Sequence, residues 1–319
     1  MATDTQTEDQ SLRERRLRYR NSLYEFLSRR RVMAAFTILP ALLLFVFITL
    51  GPIVWAVAAG FYEIPVFVPT WEFVWFDNYV ELLTEETFWM TVWRSVVFAG
   101  GSTAFQLVVG TGIALLVNRQ FRFSNVVQAV VILPYMIPTA VLGFMALWIG
   151  NAQWGVLNGV LIELGLLDNP FSWFGNHSTA MLSVILTSSW KFTIFVTIMV
   201  LARLQSIPQD HYEAARVAGA SSYQVFRDIT LPNLKNVIFI VILLRGVWMF
   251  NKFDIVYVLT GGGPGDATRT APIYAYELGF GLTRLGKAAA MSTLLFVFLV
   301  AVALVYFRVL EPAEGVRTE

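Results

Sequence analysis

Few residues of this chain could do chemistry. The first to weigh is the run Gly281-Leu-Thr-Arg-Leu-Gly286-Lys287-Ala288. A loop that cradles nucleotide phosphates needs Ser or Thr after its lysine, to hold magnesium through a hydroxyl. Ala288 stands there and no strand pattern precedes the run, so the likeness to a phosphate loop is a coincidence of spacing. His177 and His211 lie far apart and form no metal-ligand pattern. There is no cysteine, which excludes disulfides and thiolate metal sites.

Cations beside aromatic rings remain. At about 100° per residue, Arg245, Trp248, Met249 and Lys252 share one helical stripe, and Trp190-Lys191 makes a second such pair. Rings can stack on the apolar face of a sugar while polar groups bind its hydroxyls. Trp190, Lys191, Arg245, Trp248, Asn251 and Lys252 are therefore the candidates for solute contact. The competing reading pairs Arg245 and Lys252 with acids or carbonyls of another subunit. On a continuous helix Asp254 projects almost opposite Lys252, which would leave it for a neighbour's charge. The excess of positive charge hints at an anionic or phosphorylated solute.

The elements that carry these residues are apolar. Hydrophobic residues make up 56% of the chain and charged residues only 14%, against about 25% in a soluble domain. Six stretches approach the roughly 20 apolar residues that cross a bilayer: 33–60, 90–117, 126–149, 179–202, 236–258 and 288–308. Each is expected to be helical, because a backbone in hydrocarbon must satisfy its own hydrogen bonds and the alternation of a barrel strand is absent. Pro134 and Pro138 should kink the third span. Arg94 reads as a snorkelling anchor.

Basic residues orient the spans. Arg13, Arg15, Arg16, Arg18, Arg20, Arg29, Arg30 and Arg31 lie in the head. Arg119, Arg122, Arg203, Arg216, Arg227 and Lys235 lie in the even-numbered loops, and Arg308 and Arg317 in the tail. Only Arg269, Arg284 and Lys287 fall on the other side. Sixteen against three places both termini in the cytoplasm. The chain then divides into a basic cytoplasmic segment (1–32), a six-span domain (33–308) with an inserted loop (203–235), and a cytoplasmic tail (309–319). Outside, "GVLNGVLIELGLLDNPFSWF" reads as an interfacial helix with Trp173 as its anchor, and "TGGGPGDATRT" as a flexible connector.

The loop at 203–235 is helix-prone. Pro208 suits a helix start, Asp210 the positive end of the macrodipole, and Gly219 a left-handed cap. Ser221 with Gln224 makes a capping box for a second short helix, which Leu231-Pro232 should close before the fifth span. Ala214, Ala215 and Ala218 share one face, open to close approach by another protein, with Glu213 and Arg216 beside it.

Glu213-Ala214-Ala215, three residues, Gly219, nine residues, Ile229, one residue, Leu231-Pro232: this spacing resembles the EAA loop of ABC-importer permeases in full. The chain is most similar to the sugar-permease branch, the maltose and glycerol-3-phosphate type. "FDNYVELL", "ILPYMIPTAV", "ARLQSIP" and "FDIVYVLTGGGPGDATRT" support this, and the likeness runs from about residue 32 to 308. The resemblance implies an all-α polytopic membrane protein of six transmembrane helices, with a cytoplasmic coupling-helix loop between the fourth and fifth. It implies that Glu213, Ala214, Ala215, Ala218, Gly219, Ile229, Leu231 and Pro232 couple the spans to a cytoplasmic ATPase. It further implies a second homologous permease, two ATPase subunits that bind the ATP and magnesium, and an extracellular binding protein that meets the outer loops. The chain itself would bind no cofactor, catalyse nothing and touch no nucleic acid. A glycerol phosphate or polyol is the alternative cargo. A secondary transporter is disfavoured, since no carboxylate lies near the centre of a span.

Overall fold

The computed structural model describes residues 30–65, 67, 70–118 and 124–310. The head up to residue 29, Arg119, Arg122 and the tail from residue 311 lie outside the described residues. The chain divides into two compact units, Met1–Ala58 and Ala59–Glu319. In the first, α1 (Arg30–Phe45) passes through a π turn, Val46–Leu50, into α2 (Gly51–Ala59). Pro52 has no N–H for the carbonyl four residues back. The wider turn before it keeps the helix continuous, with Gly51 N donating to Val46 O.

The second unit opens with a short antiparallel ladder, β1 (Tyr62–Glu63) on β2 (Glu72–Phe73). Then come α3 (Asp77–Thr84), α4 (Glu86–Val117), α5 (Ser124–Ile132), α6 (Thr139–Ile149), α7 (Val156–Glu163) and α8 (Ala180–Gln205). The insert holds α9 (Gln209–Val217) and α10 (Ser222–Val225), followed by α11 (Leu231–Phe250), α12 (Asp254–Thr260), α13 (Ala271–Tyr276) and α14 (Leu285–Leu310). Five helices among the described residues are long and apolar enough to cross a membrane. A sixth span follows if the two arms around Pro138 count as one.

The centre of this unit is the pairing of α4 with α8. Ser189 Oγ donates to Ser102 O at 3.4 Å and Thr197 Oγ1 to Gly110 O at 3.2 Å, one register at both points, so the helices run parallel. Their seam buries small and hydroxyl side chains: Ser102, Thr103, Gly110 and Ala114 against Ser188, Ser189, Thr193 and Thr197. Lipid tails are as apolar as leucine, so helices in a bilayer associate through close backbone approach and hydrogen bonds, which such a seam permits. α11 runs antiparallel to both. Its Leu234 and Val241 pack with Ala114, Val200 and Leu204, and its Met249 and Phe250 with Phe98, Val184 and Phe192.

A Cβ on Gly110 would stand 2.9 Å from Val196 Cβ and 3.0 Å from Thr193 O, whereas one on Gly112 meets nothing within 4 Å. Gly110→Leu is expected to cost at least about 1–3 kcal/mol of overpacking, read as a lower melting temperature and poor extraction of folded protein. Gly112→Leu, the matched control, should leave both unchanged.

Three expectations change. The third span is broken, not kinked: its arms meet at 93°. Leu133–Met136 forms a 3-10 turn and Ile137, held extended by the ring of Pro138, precedes α6. The fifth span was placed at 236–258, yet the membrane-length helix is Ser222–Phe250. Leu231-Pro232 does not close the short helix. A π turn at Phe226–Thr230, with Leu231 N donating to Phe226 O, absorbs the proline and lets α10 run into α11. The far end stops at Asn251, and Asp254 starts α12 in the first turn, where a carboxylate suits the helix dipole.

The two segments read from the sequence as outer loops are also more ordered than their composition suggests. In "TGGGPGDATRT", the Thr260 and Thr268 hydroxyls lie 2.6 Å apart, Thr268 and Thr270 are buried, and Arg269 binds Asp266 and Glu277. Gly261, Gly262 and Gly265 take positive φ there, so its glycines serve turns and it is no flexible connector. Trp173 is tied into the same kind of local order. Its Nε1 donates to the buried Asn158 of α7, whose amide in turn donates to Phe171 O.

Candidate functional site

Two regions gather the residues singled out from the sequence, and they sit near opposite ends of α11. The first is the insert. Pro208 is the N-cap of α9, one position earlier than a first-turn residue. At the other end Gly219 takes φ +80. Its N–H donates to Arg216 O and that of Ala220 to Ala215 O, both at 3.0 Å, the paired bonds of a Schellman cap. Ser221 then caps α10: Gln224 N donates to Ser221 Oγ, and Ser221 N to Gln224 Oε1. The turn between two helices is thereby reduced to Gly219 and Ala220, with each end hydrogen-bonded by its own sequence.

The inner side of the insert is fixed to the bundle. Tyr212 Oη and Thr230 Oγ1 are 3.3 Å apart, and Arg203 reaches from the end of α8 to Asn233 O at 2.9 Å. Tyr212 and Ile229 pack on the core formed by Leu204, Ile207 and Leu234. Glu213, Ala214, Arg216, Ala218 and Gly219 are exposed, while Ala215 is half-buried. Ala215 therefore belongs more to the inner side than the shared alanine face implied. Val217, 90% exposed, is the most exposed large hydrophobic side chain of the insert and was missed. An apolar side chain standing outside a helix's buried stripe is the signal that could have found it. Leu231 and Pro232 are exposed as well. Glu213 and Arg216 form no ion pair among the described residues.

The second region is a cavity of about 470 Å³ lined by Tyr135, Phe192, Arg245, Trp248, Met249, Asn251, Lys252, Phe253 and Asp254. Arg245, 2% exposed, donates from Nε to Gln106 Oε1 at 2.7 Å and from a terminal nitrogen to Met249 Sδ at 3.0 Å. The rings of Phe192, Phe195 and Trp248 lie 4.8, 5.7 and 5.6 Å from its guanidinium carbon. Lys252 and Asp254 do not oppose each other. Because the helix ends between them, Lys252 Nζ reaches Asp254 Oδ1 at 3.0 Å.

The pair Trp190-Lys191 is split by the helix. Lys191 is buried and turns to the broken third span, donating to Ile137 O at 2.6 Å and Thr139 Oγ1 at 3.0 Å. It satisfies a carbonyl that the break left without its helical partner, which is how interrupted helices persist in membranes. Trp190 instead lines a separate, nearly all-apolar cavity with Leu142, Met145, Trp173 and Phe174. Gln106, Phe192 and Tyr135 escaped the sequence reading. A glutamine within an apolar span was the signal for Gln106; nothing local marked the two rings.

The false phosphate loop has a structural explanation. A Cβ on Gly286 would lie 1.8 Å from Tyr62 O, so the glycine allows a backbone crossing. Lys287 is 3% exposed and bound to Glu81, at 2.9 Å, and to Glu85. Arg284 makes a two-pronged pair with Glu81 at 2.9 Å, and Tyr274 Oη donates to Glu85 at 2.8 Å. These groups tie α3 to the start of α14.

Membrane-length helices beside a cavity that carries buried cations, with a capped helical insert at one end, fit a membrane transport component. The comparisons agree. Residues 106–314 match the family of binding-protein-dependent transport system inner membrane components. The trehalose/maltose transport system permease of Thermococcus litoralis is 36% identical over 243 residues, 76% of this chain and 81% of its own length. The sulfoquinovosyl glycerol transport system permease of Agrobacterium fabrum is 32% identical over 286 residues, 89% of this chain and 92% of its own. In fold, a solved bacterial ABC transporter involved in the import of the acidic polysaccharide alginate is similar, with a TM-score of 0.77 at 23% identity, covering 90% of this chain and 97% of that one. This chain belongs to the family of binding-protein-dependent transport system inner membrane components. It is the permease subunit of an ABC importer, a transport component without an ATPase of its own.

Proposed function

We propose that this permease carries a sugar, delivered by an extracellular binding protein, through a pathway shared with a second homologous permease. Two cytoplasmic ATPase subunits bind the ATP and magnesium and drive alternating access. The insert, with Glu213, Ala214, Ala218, Gly219 and Val217 on its open side, docks into the ATPase; Ala215, Ile229, Leu231 and Pro232 support it. Trp248, Asn251, Lys252 and Arg245 line the path. Both termini lie in the cytoplasm. On that orientation Arg269, Arg284 and Lys287 are the outward basic residues, and each is ion-paired.

The observation that carries this reading is the insert itself. A two-residue turn capped on both sides, in an insert whose Tyr212 meets Thr230 and packs on the core of Leu204 and Leu234, can pass a push to both helices. This chain has no cysteine of its own, so with the thiols of the other subunits replaced the test reports on one position. A photo-cross-linker attached at Val217→Cys in the assembled transporter should capture the ATPase subunit, and the thiol should be reachable from the cytoplasmic side alone. Labelling from outside the cell would overturn the reading, as would cross-links that never include the ATPase.

A further inference from the structure

We infer that the solute accepted at the α8–α11 cavity is an acidic sugar, one bearing a carboxylate, sulfonate or phosphate, and that Arg245 is the cation held for it. This rests on the permease reading above and extends it to the charge of the cargo.

Three cations crowd one ring. Lys252 Nζ, Arg245 Cζ and Lys191 Nζ stand 4.7, 4.8 and 5.4 Å from the centroid of Phe192. The cavity lining contains a single carboxylate, Asp254, and Lys252 already holds it. Lys191 binds a carbonyl and a hydroxyl, and Arg245 an amide oxygen and a thioether. Neither is in an ion pair among the described residues. Neutral partners fix the position of a cation and leave its charge uncancelled.

An uncancelled cation at membrane depth is costly and marks function by default. A guanidinium keeps its proton in any protein environment, so Arg245 cannot escape that cost by neutralising. Hydroxyl groups of a neutral sugar are bound as well by Asn or Gln, at far smaller desolvation cost. What Arg offers beyond them is a permanent positive charge and, with Nε and one terminal nitrogen already donating to Gln106 and Met249, a second terminal nitrogen for an oxygen of a carboxylate, sulfonate or phosphate. Trp248 and Tyr135 supply ring faces for the apolar side of the same molecule, in a space of about 470 Å³. The competing source of countercharge is a carboxylate from the second permease subunit.

The test uses Asn251→Cys in the complete transporter, with thiols of the other subunits replaced. Its modification rates by a sulfonate-bearing and a trimethylammonium-bearing methanethiosulfonate are compared, and their ratio is normalised to that of a small free thiol in solution, the control. An uncompensated cavity should favour the anionic reagent about tenfold or more, and Arg245→Gln should cut the ratio by about threefold or more. Sodium glucuronate should slow the anionic reaction more than glucose at the same concentration. A ratio equal to the control, an unreactive thiol, or equal protection by the two sugars overturns the inference, since the partner would then supply the charge or the cargo would be neutral. The ratio is measured with Arg245 intact, so a variant that fails to assemble does not remove the test. ATP hydrolysis stimulated by the matching binding protein is read on the unsubstituted transporter. Its absence counts against the permease reading, separately from the charge.

Discussion

Gly219→Val is expected to lower ATP-driven uptake by about ten- to a hundredfold in proteoliposomes, with the transporter still assembled. Gly219 sits at φ +80, a region where an L-residue meets its own carbonyl and a β-branched one fares worst, at about 1–3 kcal/mol. Nothing lies within 4 Å of the added Cβ, so the penalty is backbone strain and not a collision. A free insert can relieve that strain by opening the Schellman bonds to Ala215 and Arg216. On the proposed docking, an insert seated on the ATPase needs the native turn, so the cost falls on docking, where each 1.4 kcal/mol or so is tenfold. The effect should be graded. Gly219→Asn tolerates the left-handed region and should stay near the native rate, with Gly219→Ala between the two. Native uptake from the valine variant would show that the bend does not transmit the stroke.

The second large effect concerns Lys287. Lys287→Met should destabilise the extracted protein by about 2–4 kcal/mol, because it strips a buried cation from two carboxylates and leaves Glu85 with no cation, while Glu81 keeps Arg284. That corresponds to a fall in melting temperature of roughly 5–15 °C. Adding Glu85→Gln should restore part of the loss: an amide still accepts the Tyr274 hydroxyl and carries no charge to strand. No recovery in the double variant would mean that Lys287 acts through packing. The same cluster sets an acid limit. Hydrogen bonds from Arg284, then Lys287, hold the Glu81 carboxyl at about 2, well below its ordinary 4.5. A lowered carboxylate pKa stabilises the fold fully above 4.5 and loses that contribution as pH falls toward 2. The melting temperature of the native protein should therefore drop across that window. Arg284→Gln should flatten the drop.

Local chemistry was legible in the chain. The Gly219 cap, the Ser221–Gln224 box and the existence of six apolar stretches all follow from interactions within a few residues. Boundaries failed where a proline was read alone. Pro232 and Pro52 each follow a π turn that absorbs the missing N–H, while Pro138 breaks its span outright. One residue type gave two outcomes because neighbouring groups decided the issue. Lys191, 54 positions away, satisfies the carbonyl exposed at the third-span break, and no local pattern announces that.

The sequence by itself determined the class: apolar length sets the number of spans, and the spacing from Glu213 to Pro232 sets the insert, because both depend on short-range geometry. The tertiary structure alone decided which charges stay uncancelled. Lys252 meets Asp254 only because α11 stops early, Lys287 meets Glu81 and Glu85 across some two hundred residues, and Arg245 meets Gln106 across 139. Countercharge is a matter of distance in space, and separation along a chain carries no record of it.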